Sequence, residues 1–229
     1  MNSRAMIQRT RGPSEPRTAM FDKALDQAVD KAVDQAVEAL RRGDLVVYPT
    51  ETLYALGADA ASPAALRRLF AAKAREAGKP VALIVADPAM GFAIARSVPA
   101  AARRLAKAFW PGPLTLVMPA KAGLPAALTG ADGGVGVRVS SHPIARALAR
   151  RLGRPITATS ANLAGRPPST TLEQARAAFN GKVKVYLEGG VLGGSQPSTV
   201  VAFDREGVKV LRAGAIPRRR LDAALTVAR

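Results

Sequence analysis

The sequence contains no cysteine and a single histidine, His142, among its 229 residues. Disulfide bridges are therefore excluded, and a structural zinc site built from thiolate and imidazole ligands is not expected. No apolar run reaches the roughly 18 residues that a membrane-spanning helix needs. The first residues, MNSRAMIQRT, also lack the apolar segment of an export signal. We therefore expect a cytoplasmic protein that does not enter the membrane.

Acidic residues are scarce as well, since 17 Asp and Glu face 34 Lys and Arg, which gives a net charge of +17. Residues 1–20 and 217–229 each carry a net charge of +3, so +11 remains in the segment between them. A basic excess that is not confined to the termini is typical of proteins that bind anionic ligands or nucleic acid. A solvated basic surface without a ligand explains it equally well.

Apolar residues make up 48% of the chain, enough for a buried core. Hydrophobic spacing and turn residues predict helices and strands that alternate as far as residue 187, after which strands dominate. Helices are predicted at 18–42, 62–73, 99–110 and 143–152, with a further one capped by Thr170 and Glu173. Strands are predicted at 45–48, 81–85, 114–118, 135–139, 155–159, 183–187, 198–203 and 208–212.

This order of elements predicts one α/β domain with a mixed, partly parallel sheet. We place that domain at 18–216. It would be preceded by a mobile basic arm at 1–17 and followed by a short basic tail at 217–229. His142 directly precedes a predicted helix beginning at Pro143, so we interpret it as a turn or cap residue and not as a catalyst.

Several common catalytic and phosphate-binding motifs are missing. The sequence has no GxxxxGK[ST] loop, no GxGxxG that opens a helix, no HExxH and no serine nucleophile elbow. The glycine-rich segment GGVLGG lies between two predicted strands and has the wrong spacing for a dinucleotide site. Acid–base chemistry by paired carboxylates stays open, although no pair stands out.

Polar side chains instead recur where predicted strands end. The first example is the stretch LVVYPTETLYALGAD, in which Pro49 ends a buried strand and Thr50, Glu51 and Thr52 follow. Later hydroxyl, amide and basic residues of this kind are Lys73, Arg75, Lys79, Arg138, Ser160, Asn162, Ser198, Thr199 and Arg212. If they converge, they form a basic, hydroxyl-rich cleft suited to a polyphosphate together with a small carboxylate. Phosphoryl and nucleotidyl transfer need little more than such positioning and charge neutralisation.

Seven blocks in order, covering about 20–216, resemble the signature blocks of YrdC-like threonylcarbamoyl-AMP synthases. They are YPTETLYALGA, the KxR motif with KP after it, FWPGPLTLV, VGVRVSSHP, TSANLAGRPPST, PSTVV and VLRAGAI. The resemblance implies a YrdC-like α/β fold, with a twisted sheet and helices on both faces, around a large basic cavity. It also implies a nucleotidyltransferase reaction in which L-threonine, bicarbonate and ATP give L-threonylcarbamoyladenylate and pyrophosphate. That product would supply the N6-threonylcarbamoyl group of adenosine 37 in tRNA.

The resemblance also implies roles for residues at matching positions. Threonine would be contacted by Thr52, Arg138, Ala158 and Ser198, and ATP by Arg75, Lys79, Ser160 and Arg212. The catalytic set would be Lys73, Arg75, Ser160 and Asn162. Mg²⁺ would be held through the ATP phosphates, without protein ligands. The expected partners are tRNA or double-stranded RNA on the basic surface, and the downstream threonylcarbamoyl transferase proteins.

The sequence departs from the family pattern at four positions, Ala55, Glu76, Gly134 and Pro168. The last two stand where residues that touch the nucleotide are usual, so the edge contacts of ATP are harder to assign than the threonine pocket. The chain resembles the short form of the family, without the extra C-terminal domain. Two other interpretations stay open, namely an RNA-binding module without catalysis and a paralogue that uses another carbamoyl-type substrate.

Overall fold

The structure is a computed structural model that describes residues 15–74, 80–193, 196–204 and 207–226, with side chains from residue 26 onward. The chain divides into two units, Met1–Ala32 and Val33–Arg229, and every strand belongs to the second. Most of the predicted basic arm at 1–17 lies outside the described residues, as do Arg75 and Lys79. None of the helices in the described part of the chain combines the length and apolar character that a membrane span requires.

The helices follow the predicted order closely. They are α1 (Glu15–Arg41), α2 (Pro63–Lys73), α3 (Pro88–Ala93), α4 (Ala100–Phe109), a 3₁₀ turn (Ala126–Leu128), α5 (Pro143–Leu152), α6 (Leu172–Ala178) and α7 (Arg218–Thr226). The strands are β1 (Val46–Pro49), β2 (Tyr54–Gly57), β3 (Ala82–Ile84), β4 (Leu114–Pro119), β5 (Gly134–Arg138), β6 (Ile156–Ser160), β7 (Val185–Tyr186), β8 (Thr199–Asp204) and β9 (Gly207–Arg212). The sequence did not predict β2, α3 or α7.

Local sequence explains where several helices begin. The hydroxyl of Ser62 accepts a hydrogen bond from the Ala65 N–H, and Pro63 is the first residue of α2, as predicted. His142 caps α5, because its Nδ1 accepts from the Ile144 N–H at 3.3 Å. This contact confirms that His142 is a cap residue.

The predicted capping box of α6 was wrong by one position. The cap is Thr171, whose hydroxyl accepts from the Gln174 N–H, and the Gln174 side chain accepts in return from the Thr171 N–H. Thr170 and Glu173 have the same spacing, so spacing alone did not separate the two pairs.

The strands of the described residues form one sheet in the order β7-β1-β2-β6-β3-β5-β4-β8-β9. The pairs β1/β7, β3/β5 and β4/β8 are parallel, and the other neighbours are antiparallel. The predicted mixed, partly parallel sheet is therefore confirmed. Strand β3 lies between β6, which ends at Ser160, and β5, which ends at Arg138.

The two faces of the sheet carry different residues, because successive side chains of a strand point to opposite sides. Leu83 and Val137 belong to the same apolar core as Leu69 of α2 and Leu105 of α4. The opposite face is partly covered by α5, which packs against β1 and β3. Helices therefore lie on both faces, as predicted. The part of the second face that α5 leaves uncovered bears the small residues of β3, β5 and β6.

The C-terminal segment expected to be a tail contains a helix, α7. Leu221 is completely buried, and the Arg220 guanidinium lies 5.5 Å from the centre of the Phe109 ring of α4. The three consecutive arginines after Pro217 led to the expectation of a short basic tail. The apolar residues Leu221, Ala224 and Leu225, at helical spacing, were the signal that could have revealed the helix.

We predict that Leu221→Ala lowers the free energy of unfolding by about 2–5 kcal/mol, because it removes buried methyl groups and leaves a cavity. Arg219→Ala on the exposed side of α7 is the matched control and should change it by less than about 0.5 kcal/mol. Urea unfolding of the full chain measures both. Equal stability of the two variants would mean that α7 does not pack as described.

Candidate active site

A cavity of about 490 Å³ lies on the face of the sheet that α5 leaves uncovered. This volume is typical of small-molecule sites. Ala82 of β3, Gly136 of β5 and Ala158 of β6 form part of its wall. Because these residues have minimal side chains, a ligand can lie close to the backbone of the central strands.

The structure brings most of the predicted site residues together in this one cavity. Its wall includes the six predicted residues Thr52, Arg138, Ala158, Ser160, Ser198 and Arg212. They come from segments that are up to 160 positions apart in the sequence. Of the other predicted residues, Lys73 and Asn162 lie outside the wall, and Arg75 and Lys79 lie outside the described residues.

The threonine-rich turn after β1 forms one side of the cavity. Pro49 ends β1, and the buried Thr50 hydroxyl accepts from the Leu53 N–H at 3.1 Å and donates to the Leu53 carbonyl at 2.7 Å. These bonds hold the turn in place. They present the Thr52 hydroxyl to Arg138, whose Nη2 donates to it at 3.1 Å.

Sequence analysis did not assign a role to Glu51, yet this residue is the ion-pair partner of Arg138. The distance between Arg138 Nη2 and Glu51 Oε2 is 2.9 Å, and the side chains are only 9% and 17% exposed. The Ser140 hydroxyl donates to the same carboxylate. Arg138 Nε and Glu51 Oε1 are buried without a hydrogen-bond partner. A carboxylate between two threonines, directly after a predicted buried strand, was the signal that could have identified it.

The surroundings of Glu51 favour its charged form. Burial alone would raise the pKa of its carboxyl, but the Arg138 guanidinium and the Ser140 hydroxyl outweigh burial and lower the pKa. Burial lowers the pKa of nearby His142. Glu51 is therefore ionised at neutral pH, and Arg138 has a permanent negative partner.

Ser198 and Arg212 form another part of the cavity wall. The Ser198 hydroxyl lies 2.9 Å from the Thr115 hydroxyl, and Arg212 Nη2 donates to the Ser198 hydroxyl at 3.0 Å and to its carbonyl at 2.9 Å. Partial burial, with a smaller contribution from the charge of Arg138, lowers the pKa of Arg212. Among the residues that the structure describes, no carboxylate forms an ion pair with Arg212. Its charge is therefore available to an anionic ligand.

Gly214 explains why the segments VLRAGAI and PSTVV lie in close contact. A Cβ on Gly214 would lie 2.3 Å from the Pro197 carbonyl oxygen and 2.6 Å from the Thr199 nitrogen, so only glycine fits there. The close approach lets the Ala215 N–H donate to Pro197 and joins Thr199 to Ile216 through two hydrogen bonds. These contacts fix Ser198 next to Arg212.

Lys73 and Asn162 shape the end of β6. Lys73 is buried, and its Nζ donates to the Ser160 carbonyl at 2.6 Å, the Asn162 carbonyl at 2.8 Å and Asn162 Oδ1 at 3.3 Å. The Ser160 hydroxyl donates to Asn162 Oδ1, and the Asn162 amide donates to the Arg166 carbonyl. The Lys73 ammonium thus holds the turn that places Ser160 in the wall. A catalytic role for either residue stays a prediction.

The predicted basic character of the cavity is not confirmed by the described wall. The charged residues of the wall are Arg138, Arg212 and Asp132, and Arg138 forms an ion pair with Glu51. Three of the four positions that depart from the family pattern, Ala55, Gly134 and Pro168, also line the cavity. A Cβ on Gly134 would lie 2.7 Å from Val117 Cγ1, so a hydroxyl residue there would displace Val117. In the described part of the chain no group of three His, Cys, Asp or Glu side chains could hold a metal ion.

Glu51→Gln should destabilise the protein at neutral pH and much less in acid. The folded-state pKa of Glu51 is depressed, so its stabilising charge is present above the ordinary glutamate pKa of 4.5 and is lost as the pH falls through the lower folded value. Thermal unfolding of wild type and variant between pH 7 and pH 3 measures this. A Tm difference that does not shrink in acid would show that the Glu51 charge contributes nothing to stability.

Comparison with known proteins agrees with the resemblance seen in the sequence. A family model named Sua5, yciO, yrdC and described as "Telomere recombination" matches residues 38–214. The threonylcarbamoyl-AMP synthase of Pyrococcus abyssi is 38% identical over 186 residues, which cover 81% of this chain and 55% of that protein. The enzyme of the same name from Thiobacillus denitrificans is 42% identical over 180 residues, covering 76% and 91%.

Solved structures are similar as well. The crystal structure of P. abyssi Sua5 complexed with L-threonine has a TM-score of 0.81 at 36% identity and covers 85% of this chain and 57% of that one. E. coli YciO has a TM-score of 0.74 at 30% identity, covering 82% and 91%. The chain spans about half the length of the P. abyssi relative and most of the length of YciO. On its sequence and its fold, the chain belongs to the Sua5/YciO/YrdC family.

Proposed function

We propose that this protein is an L-threonylcarbamoyladenylate synthase, a nucleotidyltransferase that converts L-threonine, bicarbonate and ATP to threonylcarbamoyl-AMP and pyrophosphate. The observation that supports this most is the convergence of six predicted ligand contacts in one 490 Å³ cavity. Relatives named threonylcarbamoyl-AMP synthase, at 35–42% identity, support the same reaction.

We assign the threonine site to the side of the cavity formed by Arg138. A guanidinium that lies in the cavity wall is suited to a carboxylate, because it can donate two parallel hydrogen bonds. Thr52 and Ser198 have hydroxyls that can form hydrogen bonds with the threonine hydroxyl, and the small side chain of Ala158 leaves room for the ligand. The L-threonine complex of the P. abyssi relative supports this assignment by similarity.

We assign the phosphates of ATP to Arg212 and Ser160, together with Arg75 and Lys79 from the KxR block. The Arg212 guanidinium has no carboxylate partner among the described residues, so it is suited to bind a phosphate. Mg²⁺ would bind through the phosphate oxygens, since the described residues supply no metal-binding cluster. When bound, Mg²⁺ neutralises charge that develops on the phosphates.

The proposed chemistry needs little covalent help from the protein. The threonine ammonium first loses a proton to solvent, and the resulting amine attacks CO₂ derived from bicarbonate. The second amine proton combines with the hydroxide that bicarbonate releases and leaves as water, which gives a carbamate whose oxygen attacks the α-phosphorus. The bond between the α-phosphorus and the bridging oxygen breaks, and pyrophosphate leaves. Arg138 holds one reactant and Arg212 the other, so that the cavity supplies proximity and charge stabilisation.

We extend the proposal to the partners. The product would pass to threonylcarbamoyl transferase proteins that modify adenosine 37 of tRNA, and the net charge of +17 suits contact with tRNA or double-stranded RNA. Residues 18–216 would suffice for the chemistry, because every predicted site residue lies between them. The arm at 1–17 would not take part.

Pyrophosphate release from ATP should require both L-threonine and bicarbonate. Coupled detection of pyrophosphate, with each substrate omitted in turn, measures this requirement. Release that ignores threonine would support a paralogue with another carbamoyl-type substrate. The absence of release at all substrate concentrations, in protein that still binds RNA, would support the non-catalytic RNA-binding module.

Arg138→Ala should weaken threonine binding roughly thirty- to a thousand-fold and ATP binding much less. Loss of a charge-assisted contact to a carboxylate costs about 2–4 kcal/mol, whereas the cations assigned to the phosphates remain. Arg138→Lys should restore only part of the affinity, because an ammonium does not reproduce the planar fork. Calorimetric titration of each ligand measures these effects.

Arg138→Ala also leaves Glu51 buried without its partner, so a folding defect must be separated from a binding defect. The double variant Arg138→Ala/Glu51→Gln removes both charges and is the control for this effect. Equal losses of threonine and ATP affinity in well-folded single and double variants would mean that Arg138 serves the phosphates or the fold.

A further inference from the structure

The mostly buried carboxylate of Glu51 forms an ion pair with Arg138, the arginine that we assign to the threonine carboxylate. A negative charge at this position weakens the attraction of Arg138 for any simple anion. The arrangement therefore needs an explanation, because an arginine without a carboxylate partner would bind an anion more tightly. Arg212, elsewhere in the cavity wall, lacks such a partner among the described residues.

The geometry shows how Glu51 holds Arg138. The ion pair uses Arg138 Nη2 and Glu51 Oε2 at 2.9 Å, and the two unpartnered atoms are Arg138 Nε and Glu51 Oε1. An arginine–carboxylate pair with two parallel hydrogen bonds would use Nε as its second donor and Oε1 as its second acceptor. Arg138 Nη2 also donates to the Thr52 hydroxyl, and the Ser140 hydroxyl also donates to Glu51 Oε2. These contacts occupy Nη2, while Arg138 still lines the cavity.

We propose that Glu51 is a positioning and specificity residue. It fixes the Arg138 guanidinium and compensates its charge. The part of the cavity around Arg138 therefore selects an amino acid over an anion that lacks an amino group. The inference rests on the proposed function and goes beyond it by explaining substrate choice. A zwitterion brings an ammonium that Glu51 attracts and a carboxylate that Arg138 binds. An anion without an amino group gains only the second interaction and is repelled by Glu51.

The same charge sorts the two substrates within one cavity. A polyphosphate is drawn to the uncompensated guanidinium of Arg212 and less to the near-neutral pair of Arg138 and Glu51. Threonine, which has no net charge, loses little at the compensated side. Glu51 therefore keeps Arg138 from serving as a second phosphate site, which two equally exposed arginines would allow.

The test compares L-threonine with (R)-3-hydroxybutanoate, which is threonine without its amino group. Calorimetry gives both affinities for wild type, Glu51→Gln, Glu51→Asp and Glu38→Gln. Glu38 is the matched control, because it is an exposed glutamate that pairs with Arg41 and its neutralisation changes the net charge equally. Thermal unfolding of each variant shows that it is folded.

Wild type should prefer threonine to (R)-3-hydroxybutanoate by at least tenfold. In Glu51→Gln we expect this ratio to fall by roughly 10- to 100-fold, since threonine binds more weakly and the anion at least as well. Inorganic pyrophosphate should also bind this variant more tightly. Glu51→Asp should retain most of the preference, and Glu38→Gln should equal wild type.

Equal weakening of both ligands in Glu51→Gln would show that Glu51 only braces the fold, and the inference would be wrong while the proposed function stands. Wild type that binds both ligands equally well would overturn the inference without any variant. Wild type that binds ATP but not threonine would overturn the proposed function, and the inference with it.

Discussion

The ion pair between Arg138 and Glu51 is the constraint on which the rest of the site depends. Both side chains are mostly buried, and breaking a buried pair by removing one partner is costly because an uncompensated charge remains. The turn after β1 and the end of β5 must therefore stay together. The Thr50 hydroxyl shapes the first segment, and the register of β5 between β3 and β4 fixes the second.

The sheet joins this local constraint to the rest of the cavity. Arg138 lies at the end of β5 and Arg212 at the end of β9, and both line the cavity together with Gly136 and Ala158. Because hydrogen bonds set the spacing of the strands, the backbone positions that carry the two arginines are fixed relative to each other. The proposed reaction, which joins an amino acid to a nucleotide, needs such positioning of two substrates.

Polar side chains near the cavity divide into those that line it and those that position the lining residues. Lys73 illustrates the second kind, since its ammonium donates to the backbone at Ser160 and Asn162 from outside the wall. Gly214 positions Ser198 without any side chain at all. A motif residue can thus be indispensable for the site and still not touch a substrate, and sequence blocks do not separate the two cases.

The sequence by itself determined the helix caps at Ser62 and His142, most strand positions and the mixed α/β architecture, because these depend on near neighbours and on spacing. The ordered blocks also identified six residues of the cavity wall. Only the tertiary structure decided that Glu51 pairs with Arg138 and that α7 packs against α4. Both depend on partners far along the chain, across 87 positions in the first case, and local pattern does not encode which distant segments meet.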